Sequence, residues 1–108
     1  MNRKRLIKEY MNAKETYVRN LSVLKEMQRL LLTIDKKSPT MAKIQEAENL
    51  EQICIQRIEN LCQSLENKED EYIKTQSQAI MADSERLHLL FKEIDDEVQK
   101  YRTSIMLT

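Results

Sequence analysis

The chain has 108 residues, 41 % of them apolar, with 18 Lys/Arg balanced by 18 Asp/Glu, which is one domain's worth of sequence and too short for a two-domain enzyme. It contains no glycine and one proline, which nearly rules out P-loops, dinucleotide-binding turns, nucleophile elbows and two-residue hairpins, since all need backbone at positive φ or a close approach. The longest apolar run, Leu30-Leu31-Leu32, is far below the roughly 18 residues that cross a bilayer, and the basic start Met1-Asn2-Arg3-Lys4-Arg5 lacks the apolar stretch of a signal peptide; a soluble cytoplasmic protein is expected.

The first segment carries a 4-3 apolar spacing over Leu6, Tyr10, Ala13, Tyr17, Asn20, Leu24, Met27, Leu31 and Ile34. Such a heptad turns one narrow stripe toward a partner helix. Asn20 is its single polar member, and either fixes register inside the seam or lies at the stripe's edge beside Leu21. The boundary is Asp35-Lys36-Lys37-Ser38-Pro39-Thr40. Pro39 disfavours helical geometry at Ser38, so Ser38 as N-cap with Pro39 at the first helical position makes a good start for the next helix.

The second stripe runs Met41, Ile44, Ala47, Leu50, Cys54, Ile58, Leu61 and Leu65, with one slip in spacing near Leu50 and with Ile53 and Ile55 widening the face. A broad face suits a helix touched by two neighbours. The polar run Glu66-Asn67-Lys68-Glu69-Asp70-Glu71 breaks the phase, placing a tight turn near residues 66–70. The third stripe is Ile73, Ser77, Ile80, Ser84, Leu87, Phe91, Ile94, Val98, Tyr101 and Ile105. Asp83-Ser84-Glu85 resembles a fresh N-cap and first turn, so this segment is either one long helix or a short one followed by a longer one. Short connections make neighbours antiparallel. The expected fold is therefore all-α: an up-down-up bundle of three long helices, or four with a break near Asp83, packed like a coiled coil as a single domain over residues 1–108.

Charge is shared unevenly. Residues 1–37 balance at +6, while residues 38–66 and 67–108 each balance at −3, which is most simply charge pairing between helices. The basic start Arg3, Lys4, Arg5 and Lys8 comes without an aromatic platform or recognition helix, so nucleic acid is not an expected partner. Cys54 and Cys62 are eight apart, about 12 Å along a helix, beyond the reach of a disulfide. With His88 the single histidine, neither a metal site nor a cofactor is expected, because structural zinc wants four N/S ligands. The carboxylates Glu93, Asp95, Asp96 and Glu97 lie beside the stripe and read as a solvated face. Acid–base catalysis needs a positioned pair in a cleft, and no second partner is evident, so no enzymatic activity is expected.

Two stretches carry a family resemblance. Glu46-Ala47-Glu48-Asn49-Leu50-Glu51-Gln52-Ile53 with Arg57-Ile58-Glu59-Asn60-Leu61, and Leu89-Leu90-Phe91-Lys92-Glu93-Ile94-Asp95-Asp96-Glu97-Val98, are similar to the middle and last helices of the small bacterial flagellar export chaperones, the filament-cap and hook-associated-protein chaperone group. Some members carry Asp-Trp at the join of helices one and two, where this chain has Ile34-Asp35-Lys36-Lys37. The resemblance implies a non-enzymatic cytoplasmic chaperone that holds the helical end of a flagellar type III export substrate. The alternative is a structural coiled-coil subunit that self-associates as a dimeric scaffold. For either role the expected contact face is the last helix: Leu87, Leu90, Phe91, Ile94, Val98, Tyr101, Ile105 and Met106. One seam per helix leaves Leu90 and the apolar tail incompletely covered, so this helix either forms the partner-binding face or covers it and must shift aside.

Overall fold

The structure, a computed structural model, describes residues 2–65 and 67–107, with side chains as far as Thr103 in the last helix. Three helices follow one another: α1 (Arg3–Ile34), α2 (Thr40–Ser64) and α3 (Asp70–Leu107). They form an antiparallel bundle whose principal extents are 59 × 18 × 18 Å. Of the two readings of the third segment, the uninterrupted helix is the one observed: α3 runs straight through Asp83-Ser84-Glu85.

Local chemistry sets the ends. Asn2 Oδ1 accepts the Arg5 N–H at 3.1 Å and caps α1. At its other end the Asp35 N–H donates to Leu31 O at 2.7 Å, and the Asp35 carboxylate accepts the Lys37 N–H at 3.0 Å, the local bond that lets Asp open a turn. Pro39 already has helical angles (φ −62°, ψ −19°), and Ser38 Oγ accepts the Thr40 N–H at 3.3 Å. Ser38 thus caps α2 as its sequence predicts. No described residue has a positive φ: the connection from α1 to α2 is built without the one backbone region a glycine-free chain cannot easily occupy.

The central helix is α2, packed by close backbone approach against both α1 and α3. Its buried line is Ile44, Ala47, Glu51, Cys54, Ile58, Leu61 and Leu65, a strict 3-4 alternation. The slip near Leu50 is thereby resolved. At the slip the inward residue is Glu51, fully buried, while Leu50 is half-buried.

A second expectation is corrected on α3. Leu90 is not partly covered: it is 0 % exposed, and the covered line of α3 is Ile73, Ile80, Leu87, Leu90 and Ile94, with Phe91 half-buried. The reason is the neighbour. The α3 backbone comes close to α2 and not to α1, so the α3 line facing α2 is the one covered, and Phe91, about 100° further round the helix, turns toward α1.

The core falls into two clusters. One holds Leu24, Leu31, Ile44, Ala47, Cys54, Leu87, Leu90 and Ile94; the other holds Ile58, Leu61, Leu65, Ile73 and Ile80. Tyr17 packs against both. Ion pairs between helices only partly follow the charge asymmetry. Arg3–Asp70 (2.8 Å) and Lys14–Glu59 (3.0 Å) use cations of α1, but Lys43–Glu93 (3.6 Å), Arg86–Glu46 (3.0 Å) and Arg57–Asp83 join α2 to α3.

Candidate partner-binding groove

Both α1 and α3 lie on α2, yet among the described residues no Cα of α1 comes within 8 Å of one in α3. The two parallel helices meet instead through long side chains at a constant offset. Arg3 reaches Asp70, Tyr10 OH meets Ser77 Oγ, and Tyr17 OH meets Ser84 Oγ, each pair 67 residues apart. Successive pairs are one heptad on, so α1 and α3 run in register, with a large side chain on α1 opposite a small one on α3. The polar members Ser77 and Ser84 of the third stripe thereby gain a purpose that spacing alone did not show. At the far end Tyr101 OH lies 3.1 Å from Ser38 Oγ and 3.4 Å from the Asp35 carboxylate, tying α3 to the α1–α2 connection.

Between these ties the seam is open and holds two cavities. The first, about 410 Å³, has Ala13, Thr16, Tyr17 and Asn20 of α1 on one wall, Ser84, Leu87, His88 and Phe91 of α3 on the other, and Glu51 of α2 at its floor. The second, about 250 Å³, is apolar apart from its rim and lies between Met27, Leu30, Leu31 and Ile34 of α1 and Val98, Tyr101 and Arg102 of α3. Leu30 is 53 % exposed and Ile34 47 %, so the α1 wall presents bare aliphatic surface there.

Glu51 is the unusual group. It is 0 % exposed, and neither carboxylate oxygen has a hydrogen-bonding partner among the described residues. Burial pushes its carboxyl up to about 7, with the Asn20 amide beside it opposing the rise. Burial likewise raises the Tyr17 phenol against the effect of its Ser84 bond. The Cys54 thiol is pushed up to about 11, chiefly by burial and further by the charges of Asp83 and Glu51. Burial also raises the Cys62 thiol, against nearby Lys14. Both cysteines are unpaired, and thiols held protonated in this way are poor nucleophiles.

Of the eight residues expected to form a contact face, Leu87 and Phe91 line the first cavity and Val98 and Tyr101 the second. Leu90 and Ile94 are buried within the core, and the side chains of Ile105 and Met106 lie outside the described residues. Sequence reasoning missed the α1 wall and Glu51. The signal for Glu51 was present, because the only interruption of the second stripe's alternation falls beside it.

Among the described residues, no group of three His, Cys, Asp or Glu side chains is placed to hold a metal ion, and no helix is long and apolar enough to cross a membrane. Comparison of the chain with protein-family models, with curated proteins and with solved structures gave no match.

Proposed function

We propose that the chain is a non-enzymatic cytoplasmic adaptor or chaperone that receives an amphipathic helix of a partner protein in the open seam between α1 and α3. The observation that carries this reading is the seam itself. Three helices with one unclosed side and two cavities along it have the form of a four-helix bundle awaiting its fourth member, and an apolar helix face laid into such a groove is a recurrent mode of recognition. Leu30, Ile34, Phe91 and Val98 would gain cover from it. The partner implied by the sequence resemblance is the helical end of a flagellar export substrate. Among the described residues Glu51 has no second ionisable group bonded to its carboxylate, and acid–base catalysis requires such a pair.

A photo-crosslinking residue placed at Leu30, on the rim of the apolar cavity, is expected to capture a helical segment of another protein in native cells. The same residue at Ile53, on α2 away from the groove, should capture none. Cross-links from Ile53 alone would overturn the reading. Cross-links from Leu30 only to a second copy would favour the alternative, a self-associating scaffold. One observation speaks for that alternative: Met11 and Val18, one heptad apart, are 43 % and 46 % exposed on α1, a short stripe facing away from the bundle.

A further inference from the structure

We infer that the helix received by this groove carries one lysine or arginine whose charged head is seated on Glu51, about three turns from a bulky aliphatic residue that fills the second cavity. The inference rests on the groove reading and adds the chemistry of the partner to it.

Glu51 is buried with no counter-charge among the described residues. Among the described residues it is the one side chain with two buried carboxylate oxygens that nothing bonds, and it forms the floor of a cavity of about 410 Å³. Burying a carboxylate costs several kcal/mol unless a cation or hydrogen-bond donors compensate it. Among the described residues no cation does so: the ion pairs of Lys14, Lys43, Arg57 and Arg86 go to Glu59, Glu93, Asp83 and Glu46. The one donor beside the carboxylate is the neutral Asn20 amide, so its charge is without a cation, and a cation entering from the open side would reach it by displacing the side chains that now cover it.

The carboxylate also lies deep. Glu51 belongs to α2, behind the walls formed by α1 and α3, so a group reaching it from a helix lying on those walls needs a long stem. Lys and Arg have such a stem, which can lie along apolar surface while the head finds its charge partner. Ala13, Leu87 and Phe91 offer that surface, and the Tyr17 and Ser84 hydroxyls and the Asn20 amide surround the head with acceptors. A partner carboxylate would be repelled, and an amide would leave the charge uncompensated.

The two cavities have a fixed spacing. Asn20 stands at the level of Glu51, and Leu31 at the level of the second cavity. These residues are 11 apart in α1, about 16 Å at 1.5 Å per residue. A helix lying along α1 covers the same distance in about three turns. The partner signature is thus a basic residue and a Leu, Ile or Met about 11 positions apart on one stripe of an otherwise apolar face.

The test is selection from a displayed library of amphipathic helices of about 25 residues, long enough to span both cavities, against the wild-type chain and its Glu51→Leu and Glu51→Gln variants. Both variants remove an uncompensated buried charge and are expected to keep full helicity by circular dichroism. Helices that bind the wild type and compete at Leu30 should be enriched in Lys or Arg at one stripe position, with an aliphatic residue about three turns away. Selection against Glu51→Leu should replace the basic residue by an apolar one. A chosen peptide should bind Glu51→Gln roughly tenfold to a hundredfold more weakly, the range for a hydrogen bond to a charged group. Groove-binding helices without basic enrichment, or with affinity indifferent to Glu51, would overturn the inference and leave the groove reading standing. If no helix in the library binds the groove, the groove reading fails and the inference fails with it.

Discussion

Glu51 occupies a position that Ala47, Cys54 and Ile58 mark as apolar, and its place there has a thermodynamic consequence. Its carboxyl titrates near 4.5 when exposed to water and near 7 in the fold. The folded chain therefore binds a proton more tightly than the unfolded chain, and stability falls as pH rises between these values. The contribution is fully present below about pH 4.5 and is lost by the time pH has passed about 7, a difference of the order of 3 kcal/mol from this group. Urea denaturation at pH 5 and pH 8 should find the chain less stable at the higher pH. In Glu51→Gln that difference should largely vanish, and at pH 8 the variant should be the more stable protein. An unchanged slope would assign the effect to another group. Asn20 belongs to the same level of the bundle, and its polar interruption of the first stripe was legible. Glu51 left only an indirect trace, the slip of the second stripe beside it, because a glutamate beside a leucine is normally the solvated member of the pair.

In α3 the choice between neighbours again decides the energetics. Spacing favoured Phe91 as the core member and Leu90 as the spare one, yet Leu90 is wholly enclosed by the cluster that includes Leu24, Ala47 and Ile94, while Phe91 packs against its edge. Leu90→Ala is expected to cost about 3 kcal/mol, within the range for a buried leucine in a packed core, and Phe91→Ala less, since part of its ring already faces the groove. Equilibrium denaturation of both variants checks the ranking, and a Leu90→Ala cost below that of Phe91→Ala would contradict it. At the start of α2 the outcome was legible from chemistry alone. Ser38 caps the helix and also meets Tyr101 from α3. Ser38→Ala should therefore lose about 1 kcal/mol for the cap plus the tie to α3, read as a lowered thermal midpoint.

Over the length of the bundle, the hydroxyl pairs Tyr10–Ser77 and Tyr17–Ser84 hold α1 and α3 in register but do not bring their backbones together. A bundle with this opening has two ways to cover it: a helix from another protein, or a second copy. Multi-angle light scattering is expected to find the chain monomeric at micromolar concentration, with the groove free. A stable dimer dispersed by Val18→Glu would locate self-association on the outer face of α1, whereas a dimer dispersed only by Leu30→Glu would place a second copy in the groove itself. Lys14 and Arg19 flank Met11 and Val18 on the outer face of α1, so a second copy docking there would have to accommodate their charge, whereas Arg5 and Arg29 pair within α1 with Glu9 and Glu26.

The helices, their ends and their antiparallel order follow from local information, because apolar periodicity, caps and a proline act within a few residues of one another in the chain. The cap at Ser38 and the break in helical phase before Asp70 could both be read from residues and their immediate neighbours. Which residue of a stripe lies innermost could not. Each step along a helix rotates the side chain by about 100°, so the choice of Glu51 over Leu50, or Leu90 over Phe91, depends on where the neighbouring helix axis runs. That axis is placed by the packing of all three helices together. The open side between α1 and α3 has the same origin: three matched stripes specify that three helices associate, but the depth to which the two outer helices settle on α2 determines whether the third seam closes.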